Sequence, residues 1–321
     1  MTQDEIAEVA RTGSAVLERV RTVVVGMDEP LRVALATILA GGHVLFEDVP
    51  GLGKTLAARS LAEALGLDFR RLQCTPDMLP GDVTGSFVYA PATGEFDFRP
   101  GPIFTGLLLA DEINRTTPKT QSAMLEAMAE RQVTVEGQRF ELAEPFHVIA
   151  TSNPIEFEGT YALPEAQLDR FMVRLSVGYP EPAAEADIVL GRVARRTERT
   201  HLDPVIDAAG LRAMQQTVEA IHVDADIARY AVDLAGATRG LADVAVGASP
   251  RASQALVLLG RALAALDGRD YVRPDDLKRV SVPVLAHRLT LSPQAWARGV
   301  DPRTLVGQVV AQVAVPPTVA A

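Results

Sequence analysis

The sequence predicts an α/β domain built on a parallel sheet, followed by a domain made only of helices. Three observations predict it. Apolar runs at residues 44–46, 106–112 and 146–153 are continuous rather than alternating and turn polar only at their ends, as expected of parallel strands buried on both faces. The first of these runs enters a loop rich in Gly and Pro and then a helix-forming stretch at 56–65. From Glu181 the composition changes, and apolar residues recur at helical spacing to the end of the chain.

Size and composition set the frame for these elements. At 321 residues and 48% hydrophobic, the chain can bury a sizeable core and is long enough for two domains, expected at 1–180 and 181–315 with a frayed tail at 316–321. The formal charge is −10, with Lys and Arg dispersed, so counterion release gives little affinity for phosphate backbones and no nucleic-acid partner is expected. Cys74 is the single cysteine, which excludes an intramolecular disulfide and a multi-cysteine metal site and suits a reducing compartment. The start of the chain lacks the layout of a signal peptide, and the apolar stretch 31–46 is broken by Arg32, two glycines and His43. A cytoplasmic protein without membrane insertion is expected. His43, His147, His201, His222 and His287 lack metal-ligand spacing and read as structural or surface residues.

Taken in order, an N-terminal helix at 1–22 places Ile6, Val9, Ala10, Val16, Leu17 and Val20 on one face, with the next helix as its expected partner. The valine-rich loop 23–30 either walls an adenine ring or packs as plain core, and the residues leave both open. The strand at 44–46 then meets the loop Asp48, Val49, Pro50, Gly51, Leu52 and Gly53, followed by Lys54, Thr55 and Leu56. A strand, a glycine loop and a helix N-terminus in that order form a phosphate cradle. Gly51 and Gly53 let amides turn inward, Lys54 reaches β and γ oxygens, and the Thr55 hydroxyl suits magnesium. Asp48 stands where the general pattern has its first glycine.

A second strand at 69–72 precedes a turn-rich segment at 75–85, and alternation around Pro91-Ala-Thr-Gly94 predicts a hairpin at 87–98 within an insert at about 86–104. The run 106–112 ends in Asp111 and Glu112, at the strand edge where ligands of parallel sheets bind. Asp111 there would hold magnesium through water, and Glu112 would orient or deprotonate an attacking water. Thr117 and Pro118 start a helix reaching about Arg131, and a second hairpin follows at about 132–142 around Glu136-Gly137-Gln138. The strand at 146–153 delivers Asn153, whose amide can bond both a γ-phosphate and a water; its ordinary alternative is a turn residue before proline. A last strand is expected at 172–177.

Beyond it lie helices at 187–198, where arginines at helical spacing read as a solvated face, and at Leu211, Met214, Val218 and Ile221 after a cap at Asp203-Pro204. Others are expected at 224–238, 250–266 and 275–288. Arg251 falls in the first turn of the helix begun by Ser249 and Pro250, where a cation opposes the helix dipole and a nearby phosphate would remove the penalty. Arg170 precedes the last strand and suits either transition-state charge on a neighbouring subunit or a salt bridge to Asp169 or Glu165; Arg174 is a second candidate.

Several long strings agree, in order, with one family. Glu47-Asp-Val-Pro-Gly-Leu-Gly-Lys-Thr55, Ala110-Asp-Glu-Ile-Asn-Arg115, Pro118-Lys-Thr-Gln121, Glu126-Ala-Met-Ala-Glu-Arg-Gln-Val133, Ala150-Thr-Ser-Asn-Pro-Ile155 and the stretch from Glu158 to Phe171 resemble the MoxR family of AAA+ ATPases. The match is dense over about 24–180 and rests in the lid mainly on Ser249-Pro-Arg251. Asp48 is the residue this family usually carries, whereas Ser152 stands where many members have glutamine.

The resemblance implies a P-loop AAA+ three-layer domain with a helical lid, binding ATP and Mg2+. It implies that Asn153 is sensor 1, Arg170 the arginine finger and Arg251 sensor 2. It further implies a homo-oligomeric ring, expected as a hexamer, that remodels or matures client proteins or assists metal or cofactor insertion, with von Willebrand factor A domain proteins as partners. A magnesium-chelatase-like motor, a helicase-like motor with a basic channel and a non-hydrolysing nucleotide switch are the alternatives.

Overall fold

The computed structural model describes residues 2–92, 94–153, 160–197 and 200–316. The chain opens with helices α1 (Gln3–Arg21) and α2 (Asp28–Leu39), then β1 (Val44–Glu47), α3 (Lys54–Ala64), β2 (Phe69–Gln73) and a short α4 (Pro80–Thr84). A hairpin of β3 (Gly85–Ala90) and β4 (Glu95–Pro100) leads to β5 (Leu107–Asp111) and α5 (Pro118–Glu130). A second hairpin, β6 (Gln132–Val135) and β7 (Gln138–Glu141), precedes β8 (His147–Ser152), the single turn α6 (Glu165–Leu168) and β9 (Val173–Leu175).

Five strands form one sheet in the order β2-β5-β8-β1-β9, every neighbouring pair parallel. Side chains alternate across it between two cores. Leu107 and Leu109 join one with Val44, Phe46 and Ile149, while Leu108 and Ala110 join the other with Leu45, Val148, Met124 and Met128. This is why the strands read as continuous apolar runs. Parallel strands share their direction, so all C-terminal ends meet at one edge of the sheet and all N-terminal ends at the other.

After β9, in the stretch where the lid is expected, come α7 (Pro182–Arg195), α8 (Ala208–Glu219), α9 (Ala225–Ala237), β10 (Val244–Val246), α10 (Pro250–Leu266), α11 (Pro274–Leu285), a 3₁₀ turn at Ala286–Arg288, β11 (Thr290–Leu291), α12 (Pro293–Ala297) and α13 (Pro302–Gln312). It is therefore not purely helical: β10 and β11 pair antiparallel. The cap expected at Asp203-Pro204 is instead Asp207, whose carboxylate accepts from the Gly210 amide. Ser249 stands at the N-cap of α10 without a capping side-chain bond. The opening helix packs on the lid as well as on α2: a Cβ on Gly13 would lie 2.3 Å from Leu266 of α10. Helix α7 presents a solvated face, but one that also exposes Leu190 and Val193. Parts of the family strings at Pro154, Ile155, Glu158 and Gly159, the helix end at Glu198 and the tail from 317 lie outside the described residues.

Candidate active site

The phosphate loop leaves the C-terminal end of β1 and runs straight into α3, which begins at Lys54 rather than at Leu56. Gly51 (φ 84°) and Gly53 (φ 78°) both adopt the left-handed conformation that carries the loop round. At Gly51 an added Cβ would meet nothing within 4 Å, so the backbone angle, not space, demands glycine there. The buried Lys54 ammonium donates to the carbonyls of Asp48 (2.6 Å) and Val49 (3.2 Å) inside the loop. Burial pulls its pKa down, opposed by the negative charges of Asp48, Asp111, Glu112 and Glu47.

Asp48 has a definite task. One carboxylate oxygen accepts from the Val49 amide (3.0 Å) and the other from Ser176 Oγ (2.9 Å) and the amides of Val177 (2.6 Å) and Gly178 (2.7 Å). The acid that breaks the general loop pattern thus ties the loop to the end of β9. Burial alone would raise its pKa, yet these four bonds hold it below the usual carboxylate range.

The strands β5 and β8 bring the remaining acids to the same edge. Asp111 Oδ2 lies 3.2 Å from the Thr55 hydroxyl, and Oδ1 accepts from Thr151 Oγ1 at 2.6 Å. Glu112 sits in the left-handed region (φ 58°), its amide donating to Thr151 Oγ1 at 2.8 Å. Such a conformation costs a non-glycine residue about 1–2 kcal/mol and turns its side chain out of the strand. Asn153 is buried at the exit of β8, and Asn114 Nδ2 donates to its backbone carbonyl at 3.1 Å. Lys54, Thr55, Asp111, Glu112 and Asn153 are therefore gathered at one edge. A hydroxyl beside a carboxylate is a hard oxygen donor set, which fits magnesium.

Sequence reasoning passed over several residues that hold this cluster. Arg71 of β2 donates to Asp111 Oδ2 from Nε (3.0 Å) and Nη2 (2.7 Å), and Gln73 donates to Glu112 Oε2 at 2.8 Å. Thr151 bridges both acids. Gln121, fully buried, donates to the carbonyls of Ile113, Thr116 and Tyr161, fixing the turn after Glu112. A glutamine on the apolar side of α5 was the available signal; Arg71 and Gln73 gave none, because polar residues on an edge strand are ordinary.

The arginines lie elsewhere. Arg170 precedes β9, and its recess at the N-terminal edge of the sheet is shared with Gly42, Arg131, Asp169, Arg251 and Arg288. Among the described residues Arg170 forms no salt bridge to Asp169 or Glu165; it donates to the Leu125 carbonyl at 2.7 Å. Asp169 instead meets Arg288 at 2.6 Å and Arg251 at 3.8 Å. Arg174 is paired with Glu47 of its own chain at 3.1 Å. The structure thus brings Arg170 and Arg251 together, but at the opposite edge from the phosphate loop of the same chain. In the loop 23–30, Val24 and Met27 are core residues, and Met27 Cε lies 3.3 Å from the Cβ position of Gly53.

Buried neutral histidines build the arginine edge. His43 Nδ1 accepts from the Val148 amide (3.0 Å), so its Nε2 carries the proton donated to the Met128 carbonyl (3.2 Å). His147 Nδ1 donates to the Gly42 carbonyl (3.0 Å) while Nε2 accepts from Gln215 of the lid (3.2 Å). Burial holds His43 down at about 3, helped by His147 and Arg131, and His147 at about 4; His287 is pushed well below the ordinary range by burial and by Arg288. Among the described residues no group of three or more acidic, His or Cys side chains is placed to hold a metal, and no helix is long and apolar enough to cross a membrane.

Residues 43–173 match the ATPase family associated with various cellular activities (AAA), and 236–309 match the AAA lid domain. The chain is 41% identical to the chaperone MoxR1 of Mycobacterium tuberculosis over 97% of its own length and 84% of that protein's. It is 47% identical to the uncharacterized protein YeaC of Bacillus subtilis, covering 95% of this chain and 94% of that one. The crystal structure of a presumed ATPase from Cytophaga hutchinsonii superposes with a TM-score of 0.91 at 36% identity, over 98% of both chains.

Proposed function

Because the chain belongs to the MoxR family of AAA+ ATPases, we propose that it hydrolyses ATP in a homo-oligomeric ring and uses the cycle to remodel or mature client proteins. The observation that carries this reading is the division of the site. The phosphate loop, Asp111, Glu112 and Asn153 stand at one edge of the sheet, while Arg170 and Arg251 stand at the other. Head-to-tail packing of subunits sets the second edge of one chain against the first edge of the next, and such an interface closes into a ring, with six subunits our expectation.

In this reading the loop from Asp48 to Gly53 offers its amides to the phosphates, with Lys54 on the β and γ oxygens and Thr55 and Leu56 opening α3 beneath them. Thr55 directly and Asp111 through water would hold magnesium, which when bound neutralises charge on the phosphate oxygens. Glu112, fixed by its strained backbone, receives a proton from the attacking water, and Asn153 aligns that water with the γ-phosphate. Arg170 and Arg251 of the neighbour stabilise the charge that develops on the transferring group. Von Willebrand factor A domain proteins are the partners, and assistance in metal or cofactor insertion falls within the proposed client work.

Mixing variants tests the division. Glu112→Gln and Arg170→Ala are each expected to bind ATP and lose turnover, about 10²–10⁴-fold for the base and 10³-fold or more for the cation. A mixture is expected to regain activity, since in random assembly about a quarter of its interfaces pair an intact base with an intact cation. A mixture as inactive as its components would sink the shared site.

A further inference from the structure

We propose that Arg288 is a positioning residue for Arg170: a lid side chain grips the segment from which the finger projects, so that lid and finger move as one body. The inference rests on the reading that Arg170 completes a neighbour's site.

Arg288 closes the 3₁₀ turn after α11, and its side chain is only 3% exposed. An arginine buried to that degree needs a partner for nearly every donor. Nε donates to Asp169 Oδ1 (2.6 Å), Nη1 to the Met172 carbonyl (3.2 Å), and Nη2 to the carbonyls of Phe171 (2.9 Å) and Asp169 (3.4 Å). Its remaining acceptor is the Val284 carbonyl in the last turn of α11. Four of the five acceptors thus lie on residues 169, 171 and 172, on both sides of Arg170. The adjacent His287 adds a bond from Nε2 to the Phe171 carbonyl at 3.2 Å.

Simple docking of lid on sheet domain is already provided elsewhere: Arg279 pairs with Glu29 at 2.6 Å and Arg32 with Asp267. What Arg288 adds is specific to the backbone that aims Arg170. The planar fork reaches one carboxylate and three carbonyls at once, and an ammonium at the same place would reach fewer. The second lid cation, Arg251, approaches the other Asp169 oxygen at 3.8 Å. Asp169 is therefore the joint at which the lid, through two arginines, meets the finger segment. Rotation of the lid carries both proposed trans-acting cations together.

Two conservative variants, Arg288→Lys and Asp169→Asn, test this in the full chain, the second standing in if the first melts far below wild type. Each is expected to bind ATP at its own loop within about twofold of wild type and to lose turnover at least tenfold. Each is expected to regain activity when mixed with Glu112→Gln and to gain none when mixed with Arg170→Ala, which places it on the finger side of the interface. Undiminished turnover, recovery with Arg170→Ala, or no recovery with Glu112→Gln overturns the proposal. The control mixture of Arg170→Ala with Glu112→Gln separates the two levels: if it recovers and the Arg288 variant does not, only the positioning role fails; if it stays inactive, the shared site fails and this inference with it.

Discussion

The two edges of one five-stranded sheet gather different charged groups. Around the phosphate loop stand Asp48, Asp111 and Glu112 with the buried ammonium of Lys54 and the guanidinium of Arg71, whereas the recess at the other edge gathers Arg131, Arg170, Arg251 and Arg288 about one acid, Asp169. β1, whose four residues span roughly 13 Å, lies between them. Under the proposed function, a chain built this way holds both halves of a hydrolytic site and sets them too far apart to serve the same phosphate. On that reading the difference teaches that activity and assembly would be one property, because only a second copy would bring the edges together.

The comparison breaks most completely at Lys54. Lys54→Ala removes the ammonium that sits under the loop and is expected to abolish nucleotide binding in equilibrium titration while leaving the arginine edge intact; ATP binding at wild-type affinity would show that the acidic edge is not the phosphate site. The arginine edge breaks with acid. An imidazole whose folded pKa lies below its unfolded value of about 6.5 contributes fully above that pH and loses its contribution as pH falls toward the folded value. His43 (about 3) and His147 (about 4), lowered by burial above all, therefore each remove about 1.4 kcal/mol per pH unit below 6.5, or about 2 kcal/mol apiece by pH 5, and His287, lowered by burial and by Arg288, acts in the same direction. Set against a typical stability of about 5–15 kcal/mol, urea midpoints should collapse between pH 6.5 and 5; a flat profile would mean these rings are not held neutral. The smallest effect sharpens the acidic edge. Arg71, half-exposed, competes with any cation for Asp111, so Arg71→Gln should lower the magnesium concentration for half-maximal nucleotide binding by up to about fivefold. An increase would assign Arg71 to the phosphates instead.

Much of the acidic edge was legible in the sequence, because its parts are local. Strand, glycine loop and helix follow one another, and Asp111-Glu112 ends an apolar run. Asp48 looked like a defect until its carboxylate was seen to clasp Ser176, Val177 and Gly178, more than 120 residues away. The arginine edge was harder to read. The roles of Arg170 and Arg251 came from family resemblance, supported by their places just before a strand and in the first turn of a helix, and Arg288 looked like any basic residue at the end of a helix. Its burial and its four acceptors on 169–172 exist only through tertiary contact. The β10–β11 pair escaped for a simpler reason: strands of three and two residues carry no measurable period. Caps were misplaced by a few residues where Asp203 and Asp207 competed, and only one makes the bond.

The clasp of Asp48 has one more effect. Its partners begin where β9 ends, and β9 itself begins where the grip of Arg288 on Met172 leaves off. A strand of three residues, about 10 Å long and laddered to β1 along its whole length, is thus clamped at both ends. It behaves as a connecting rod with the phosphate loop on one bearing and the finger on the other. In the proposed ring, such rods would lie between successive sites, so play at one loop would become misalignment of the cation offered to the next.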